Sequence, residues 1–249
     1  MLMQKIKRET ATLRDILYHR LYYKPGSEQG IIDQFHKLYY DASNFGETWA
    51  NTWWRGVPAL KCPLDLWIYQ EIIYELKPDL IIETGTCLGG SALYLANLCD
   101  MMGHGNVVTV DIETVDMLKA RLGKVPPIVR PVHPRIRYIV GSSISPEVLK
   151  EIKETAQKAT RILILLDSDH SQRHVREELR HYTPLVSKDS YVIVEDTNIN
   201  GHPVYPGYGP GPMEAVDDFL KDNDEFIIDK GREKLMLTMN PRGFLKRVK

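Results

Sequence analysis

Disulfide chemistry is the first thing this sequence lacks. Its three cysteines, Cys62, Cys87 and Cys99, are odd in number and unpaired in spacing, which argues against a disulfide scaffold. No Cys-x-x-Cys and no His/Cys cluster suggests zinc. An excess of one charge sign is also missing. The 32 Lys and Arg against 33 Asp and Glu leave a net charge of −1, so no global field draws in nucleic acid or an anionic membrane. Basic residues cluster only near the two ends, at 5–8 and 246–247, where they read as solvated surface. Long hydrophobic runs are absent: the most apolar one, 162–166, is strand-length, far below the roughly 20 residues of a membrane span. The first residues carry no apolar core of a signal peptide. What remains is an ordinary globular composition, 43% hydrophobic and 26% charged. These absences predict a cytoplasmic protein in a reducing compartment, with no nucleic-acid partner and no membrane.

The 249 residues suffice for one large α/β domain with an appended segment. Residues 1–60 differ from the rest, with aromatic pairs at 22–23, 39–40 and 53–54 and a Pro-Gly break at 25–26. They read as helical arms, over 4–22 and 28–41, and loops that cover a substrate pocket or a subunit interface, or simply pack on the main domain. From there to residue 249 apolar strands alternate with helices. Strands are expected at 79–83, 106–111, 135–140, 161–167 and 190–195. Helices are expected at 66–76, 91–101, 114–122, 146–158 and 171–182. Strands apolar on both faces and spaced by helices indicate a parallel sheet covered on both sides. Residues 197–212 hold too many Gly and Pro for a regular element, and a helix follows at 213–221. Two closing strands are expected at 225–228 and 234–239. That closing pair fits the Rossmann-like, seven-stranded, mostly parallel α/β sheet of class I methyltransferases.

The strongest local signal lies between the first strand and its helix, Glu83-Thr-Gly85-Thr-Cys-Leu-Gly89-Gly90-Ser91. Gly85 permits a tight turn, and Gly89 and Gly90 allow close backbone approach to a ligand. The pattern is not the dinucleotide fingerprint, because Cys87 stands where that motif needs its second glycine. S-adenosylmethionine has no phosphate, and Glu83 at the strand end suits its amino group or, through water, its sulfonium. Thr86 and Ser91 lie in the same turn. Asp111 ends the second strand 21 residues after Gly90, where an acidic residue meets ribose hydroxyls. Ser142 and Ser143 follow the third strand, at the place where small polar residues approach an adenine edge. The bland alternative makes these ordinary loop glycines and Asp111 a helix cap.

A second constellation is acidic. Strand four ends in Asp167-Ser168-Asp169-His170 and strand five in Glu195-Asp196. In the usual sheet order the two strands are neighbours, so Asp167, Glu195 and Asp196 converge in one crevice. Such a cluster is costly unless protons or a cation neutralise it. All-oxygen ligands select Mg²⁺, with Mn²⁺ or Ca²⁺ as alternatives. The competing reading is that Asp167 or Asp169 caps the next helix while Asp196 faces solvent.

The runs IETGTCLGGS at 82–91, LLDSDH at 165–170, VEDT at 194–197, NGHPV at 200–204 and GPGPMEAV at 209–216 resemble the cephalosporin hydroxylase / rhamnosyl O-methyltransferase family. The resemblance covers roughly residues 35–240. It implies a Rossmann-like fold, S-adenosylmethionine, a Mg²⁺ site on Asp167, Glu195 and Asp196, and a homo-oligomer. A looser similarity to catechol O-methyltransferase puts a base three residues after Asp167, at His170, where that enzyme has Lys. The alternative for His170 is a capping or packing role, and His174 or His202 could take the part of the base instead. The expected activity is O-methylation of a small-molecule acceptor, a sugar or natural product. The rivals are a cephalosporin-type hydroxylase or methoxylation component, an NAD-dependent oxidoreductase, and a non-catalytic assembly subunit.

Overall fold

A computed structural model describes residues 27–41, 48–122 and 129–249. The helix expected over 4–22 lies outside the described residues. The chain before the sheet forms α1 (Ser27–Asp41), a 3-10 turn (Thr48–Ala50) and a hairpin of β1 (Trp53–Trp54) and β2 (Val57–Pro58). Sequence reading expected only loop at 53–58. Arg55 and Gly56 both adopt positive φ, 49° and 81°, the geometry of a two-residue hairpin turn. Trp54 fixes the hairpin on the main domain: its ring meets Tyr94 edge-on at 4.9 Å, and its Nε1 donates to Asn97 Oδ1 at 3.0 Å.

α2 (Pro63–Leu76) starts with Pro at its first turn and ends at Lys77 in the left-handed conformation. Then follow β3 (Leu80–Thr84), α3 (Gly90–Met102), β4 (Asn106–Asp111), α4 (Val115–Leu122), β5 (Ile136–Val140), α5 (Pro146–Ala156), β6 (Ile162–Leu166), α6 (Gln172–Tyr182), β7 (Tyr191–Val194), α7 (Pro212–Asp222), β8 (Phe226–Ile228) and β9 (Phe244–Arg247). The sheet order is β5-β4-β3-β6-β7-β9-β8. The first five strands in that order pair in parallel, and β9 runs antiparallel to both β7 and β8.

The period of two along each strand divides the core. Leu80, Ile82, Ile164, Leu166, Val192 and Val194 pack towards α5, α6 and α7, while Ile81, Leu163, Leu165 and Ile193 pack towards α2 and α3. All residues of β3, β6 and β7 are buried, as a sheet covered on both faces requires.

The final strand is a correction. Residues 234–239 are not a strand, although their apolar spacing suggested one. Leu237 and Met239 instead join Cys62 in a small cluster, and Asp65 of α2 accepts from Met239 N at 2.8 Å. The sheet is closed by Phe244–Arg247. Local alternation cannot distinguish a strand from an apolar loop that docks on a helix.

Candidate active site: a donor cradle beside an acidic cluster

The C-terminal ends of β3, β4, β5, β6 and β7 open into one cavity of about 660 Å³. This is the edge at which open α/β sheets bind ligands, where the strand order reverses between β3 and β6.

The half over β3, β4 and β5 is assembled around the glycine turn. Gly85 has φ +89°, and a Cβ there would lie 1.8 Å from the backbone oxygen of Asp167. The glycine is therefore required by the approach of two strand ends. Gly90 was expected to make room for a ligand. Its missing Cβ instead admits the backbone of the N-terminal segment, with Pro58 O only 2.1 Å from where that atom would sit. Gly85, Thr86, Ser91, Asp111, Ser142 and Ser143 line the cavity. Gly89 lies behind, against Pro131 and Tyr138.

Asp111 accepts from Cys87 N at 2.6 Å and Glu113 N at 2.8 Å, and Arg130 pairs with it at 3.1 Å. Thr114 accepts from Met117 N in the first turn of α4, so Asp111 does not cap that helix. Ser143 Oγ and His174 Nε2 share a hydrogen bond of 3.0 Å. Glu83 does not face the cavity. It is fully buried and accepts from Ser91 Oγ at 2.5 Å and Thr109 Oγ1 at 2.6 Å. Both its oxygens are thus used inside the protein, which leaves no direct contact with a donor's amino group. Burial raises its pKa, against the Lys61 charge.

The half over β6 and β7 is acidic. Asp167, His170 and Asp196 line the cavity and each offers a ligand atom within 4.8 Å of the others. His170 Nε2 lies 3.2 Å from Asp196 Oδ2. α6 is capped by Ser171, which accepts from His174 N, so neither Asp167 nor Asp169 is needed as its cap. Glu195 is set deeper, 4% exposed. Its Oε2 accepts from Lys61 Nζ at 2.5 Å, and its Oε1 is buried without a hydrogen-bond partner.

Lys61 reaches the same place from the start of α2, and its Nζ also donates to Asp167 Oδ2. Burial works to lower the Lys61 pKa, but Asp167, Glu195 and Glu83 outweigh it and raise it. Burial and the Asp167 charge push the Glu195 carboxyl well up. Burial likewise raises Asp196, opposed by His170. Asp167 and Glu195 thus share one ammonium, while Asp196 stands beside His170.

His202 does not join the cavity. Its Nε2 sits 2.9 Å from Glu214 Oε1, the same atom that accepts from Asn200 Nδ2 at 2.9 Å, while Glu214 Oε2 accepts from Gly211 N at 2.7 Å. Despite burial, these bonds hold the Glu214 carboxyl down at about 2. His202 is therefore part of the brace between the glycine-rich loop and α7. His170 remains as the histidine beside the carboxylates. Tyr205 and Tyr208 line the cavity from the tip of that loop, edge to face at 5.3 Å. Tyr40 and Trp49 line it from the N-terminal segment, stacked at 6.0 Å.

Sequence reading missed Lys61 and Arg130. Arg130 donates to Cys87 O and Glu113 O, both at 2.9 Å, and so ties the donor turn to the end of β4. Neither stands in a motif. The one signal for Lys61 was a cation between apolar neighbours, Leu60 and Cys62, at the start of a buried helix.

A glycine turn after β3, an acid ending β4, carboxylates ending β6 and β7, and a reversed closing strand define an α/β protein of the class I methyltransferase type. More narrowly, the chain belongs to the Rhamnosyl O-methyltransferase/CmcI family, whose model matches residues 46–248. It is 37% identical over 232 residues to the rhamnosyl O-methyltransferase of Mycobacterium tuberculosis, covering 92% of this chain and 89% of that protein. With its Mycobacterium leprae counterpart it shares 37% over 229 residues, covering 90% and 93%. A solved apo structure of CmcI matches with TM-score 0.57 and 20% identity, over 80% of this chain and 77% of the other. A CmcI structure with Mg and SAM matches with TM-score 0.59 and 20% identity, over 80% and 78%. At that identity the two CmcI structures bear on the fold. Among the described residues no helix is long and apolar enough to cross a membrane.

Proposed function

We propose that this chain is an S-adenosylmethionine-dependent O-methyltransferase that uses a divalent cation, Mg²⁺ by preference, and acts on a hydroxyl of a sugar or sugar-bearing natural product. The observation that carries the reading is the convergence of Asp167, His170 and Asp196 in the same cavity as Asp111 and the Gly85 turn. Family membership supports methyl transfer, and the relatives named rhamnosyl O-methyltransferase support a sugar acceptor. CmcI, which gives the family half its name, has been solved with Mg and SAM.

The residues present fit a hard cation. Oxygen donors dominate the cluster, its carboxylates outnumber the nearby ammonium, and Glu195 Oε1 is a buried acceptor with no partner. Asp167 and Asp196 would hold the ion, with Glu195 beneath them. Bound together, the ion would acidify the acceptor hydroxyl and the sulfonium would supply the methyl group. Asp111 would hold the ribose side of the donor, and Ser142 and Ser143 would flank its adenine. His170 takes the hydroxyl proton on the ring nitrogen that does not face Asp196, whose Oδ2, 3.2 Å from Nε2, accepts from that nitrogen and stabilises the imidazolium that results. Tyr205, Tyr208, Tyr40 and Trp49 offer ring faces and edges on which a sugar can stack while water is excluded. One imidazole with two carboxylates is not the two-His-one-carboxylate set of a non-haem iron hydroxylase, which favours methylation over hydroxylation.

The test is turnover with a rhamnosylated acceptor and labelled donor. Transfer of the label is expected, with a loss of at least about 100-fold on exhaustive chelation and recovery with Mg²⁺. Full activity after chelation would remove the cation from the reading. Donor binding with no transfer to any glycoside would remove the sugar.

A further inference from the structure

Lys61 is not explained by the reaction just described. It is 3% exposed, and its single charge is inserted between Asp167 and Glu195, on the inner side of the acidic cluster. It uses one oxygen of each carboxylate, Oδ2 of Asp167 and Oε2 of Glu195. Asp196 and His170 stand on the outer side and line the cavity. The backbone of Lys61 is anchored: its N donates to Thr52 Oγ1 at 3.0 Å, Ala59 N donates to Thr52 O at 2.8 Å, and Cys62 is the N-cap of α2. The ammonium is thus delivered by a fixed segment rather than a free loop.

We infer that Lys61 is the resident counter-ion of the acidic site, holding Asp167 and Glu195 together when no cation is bound and weakening divalent-cation binding so that the site loads reversibly. This rests on the reading of Asp167 and Asp196 as cation ligands. The placement of Lys61 supports it. Its Nζ pairs with one oxygen each of Asp167 and Glu195, two carboxylates that oppose one another. Without the ammonium, the cation-free protein would have to hold them side by side in mutual repulsion or protonate one of them. A fixed positive charge beside the cation repels it, because Coulomb interactions at this range are strong in a partly dry site. A lysine whose role was to build the cation site would have the opposite effect on affinity. Lys61 is therefore a positioning residue, acting on the carboxylates and not on substrate.

Calorimetric titration of Mn²⁺ and Mg²⁺ into wild type, Lys61→Met and Lys61→Gln, paired with thermal melts with and without the ion, tests this. The neutral variants should bind the ion at least about tenfold more tightly than wild type. Cation-free, they should melt below wild type, and saturating Mn²⁺ should raise their melting temperature by more than it raises that of wild type. Equal or weaker binding by folded variants, with wild type still binding, overturns the inference and leaves the cation site standing. Variants that stay unfolded even in saturating Mn²⁺ also overturn it, since the ion should replace the ammonium. Binding to neither wild type nor the variants overturns the cation site itself, and this inference with it.

Discussion

The two halves of the cavity are built on different principles. On the donor side the polar groups find their partners within the protein: Glu83 has both oxygens bonded, and Asp111 is clamped by two backbone amides and Arg130. On the acidic side the protein does not close its own account of charge. Asp167 and Glu195 share Lys61, Asp196 faces His170, and Glu195 Oε1 has no partner. A completed hydrogen-bond network gives a rigid shape that a neutral nucleoside can fit without reorganisation. An uncompleted one stores unfavourable electrostatics that a cation relieves on binding. On the proposed function the halves differ in what each takes from outside: a matching surface for the first, a charge for the second.

If the halves are independent, Asp111→Ala separates them with the largest effect. The variant loses the acceptor for two ribose hydroxyls, which should cost on the order of 2–4 kcal/mol of S-adenosylhomocysteine affinity, since charged hydrogen bonds contribute ~1.5–3 kcal/mol each. Its Mn²⁺ affinity should not change. Calorimetry with both ligands on folded protein decides. Undiminished nucleoside affinity removes the ribose assignment, and a matching loss of Mn²⁺ affinity erases the distinction between the halves.

A smaller effect concerns how the acidic half is held from outside the sheet. His36 of α1 is 4% exposed, and its Nε2 accepts from Asn198 Nδ2 at 2.9 Å, two residues beyond Asp196. Burial lowers its pKa from 6.5 to about 4, against the Asp33 charge. Between those values the unfolded chain binds the proton and the folded one does not. The contribution of His36 is thus present in full above pH 6.5 and is lost as pH falls towards 4. Between pH 7 and pH 5 the loss should amount to about 2 kcal/mol. The raised carboxyls of Glu195 and Asp196 act in the opposite sense, so the readout is a difference. Urea melts at pH 7 and pH 5 should show wild type losing more stability than His36→Gln. Parallel losses would detach α1 from the acidic half.

The smallest effect belongs to the loop tip. Asn198 O accepts from His202 N at 3.2 Å and Val204 N at 3.1 Å, and Glu214 braces the far end, so Tyr205–Tyr208 is the stretch left to respond to an acceptor. Tyr208→Ala should cost about 1 kcal/mol, the worth of one aromatic contact, as a several-fold rise in acceptor KM with kcat little changed. Hydrogen exchange should slow at 205–208 on full loading and stay constant at 198–204. Slowing across the whole loop would mean that it closes as one lid, and no slowing anywhere would make it a rigid connector.

The fold was legible because its signals are local. Strands such as 162–166, apolar on both faces, can exist only inside a covered sheet. Gly85 and Asp111 sit at the strand ends where chain direction alone aims them at one edge. The acidic cluster was legible for the same reason, since Asp167 and Asp196 end neighbouring strands. The failures have a common cause as well. Residues 234–239 carry the apolar spacing of a strand, but Asp65 and Cys62, more than 170 residues earlier in the chain, decide that they dock on α2. That His202 faces Glu214 and not the carboxylates at the strand ends was likewise settled by packing of the loop on α7.

The sequence by itself determined the parallel α/β sheet, the glycine turn that Gly85 requires, and the meeting of carboxylates at one edge. Periodicity and strand polarity follow from backbone geometry, which each segment carries with it. Tertiary structure alone decided which charges neutralise which. Lys61 lies 106 residues from Asp167 and 134 from Glu195, and no pattern at that separation announces a contact. Coulomb energy depends on distance and burial, and both come into being only when the segment before α2 folds against the ends of β6 and β7.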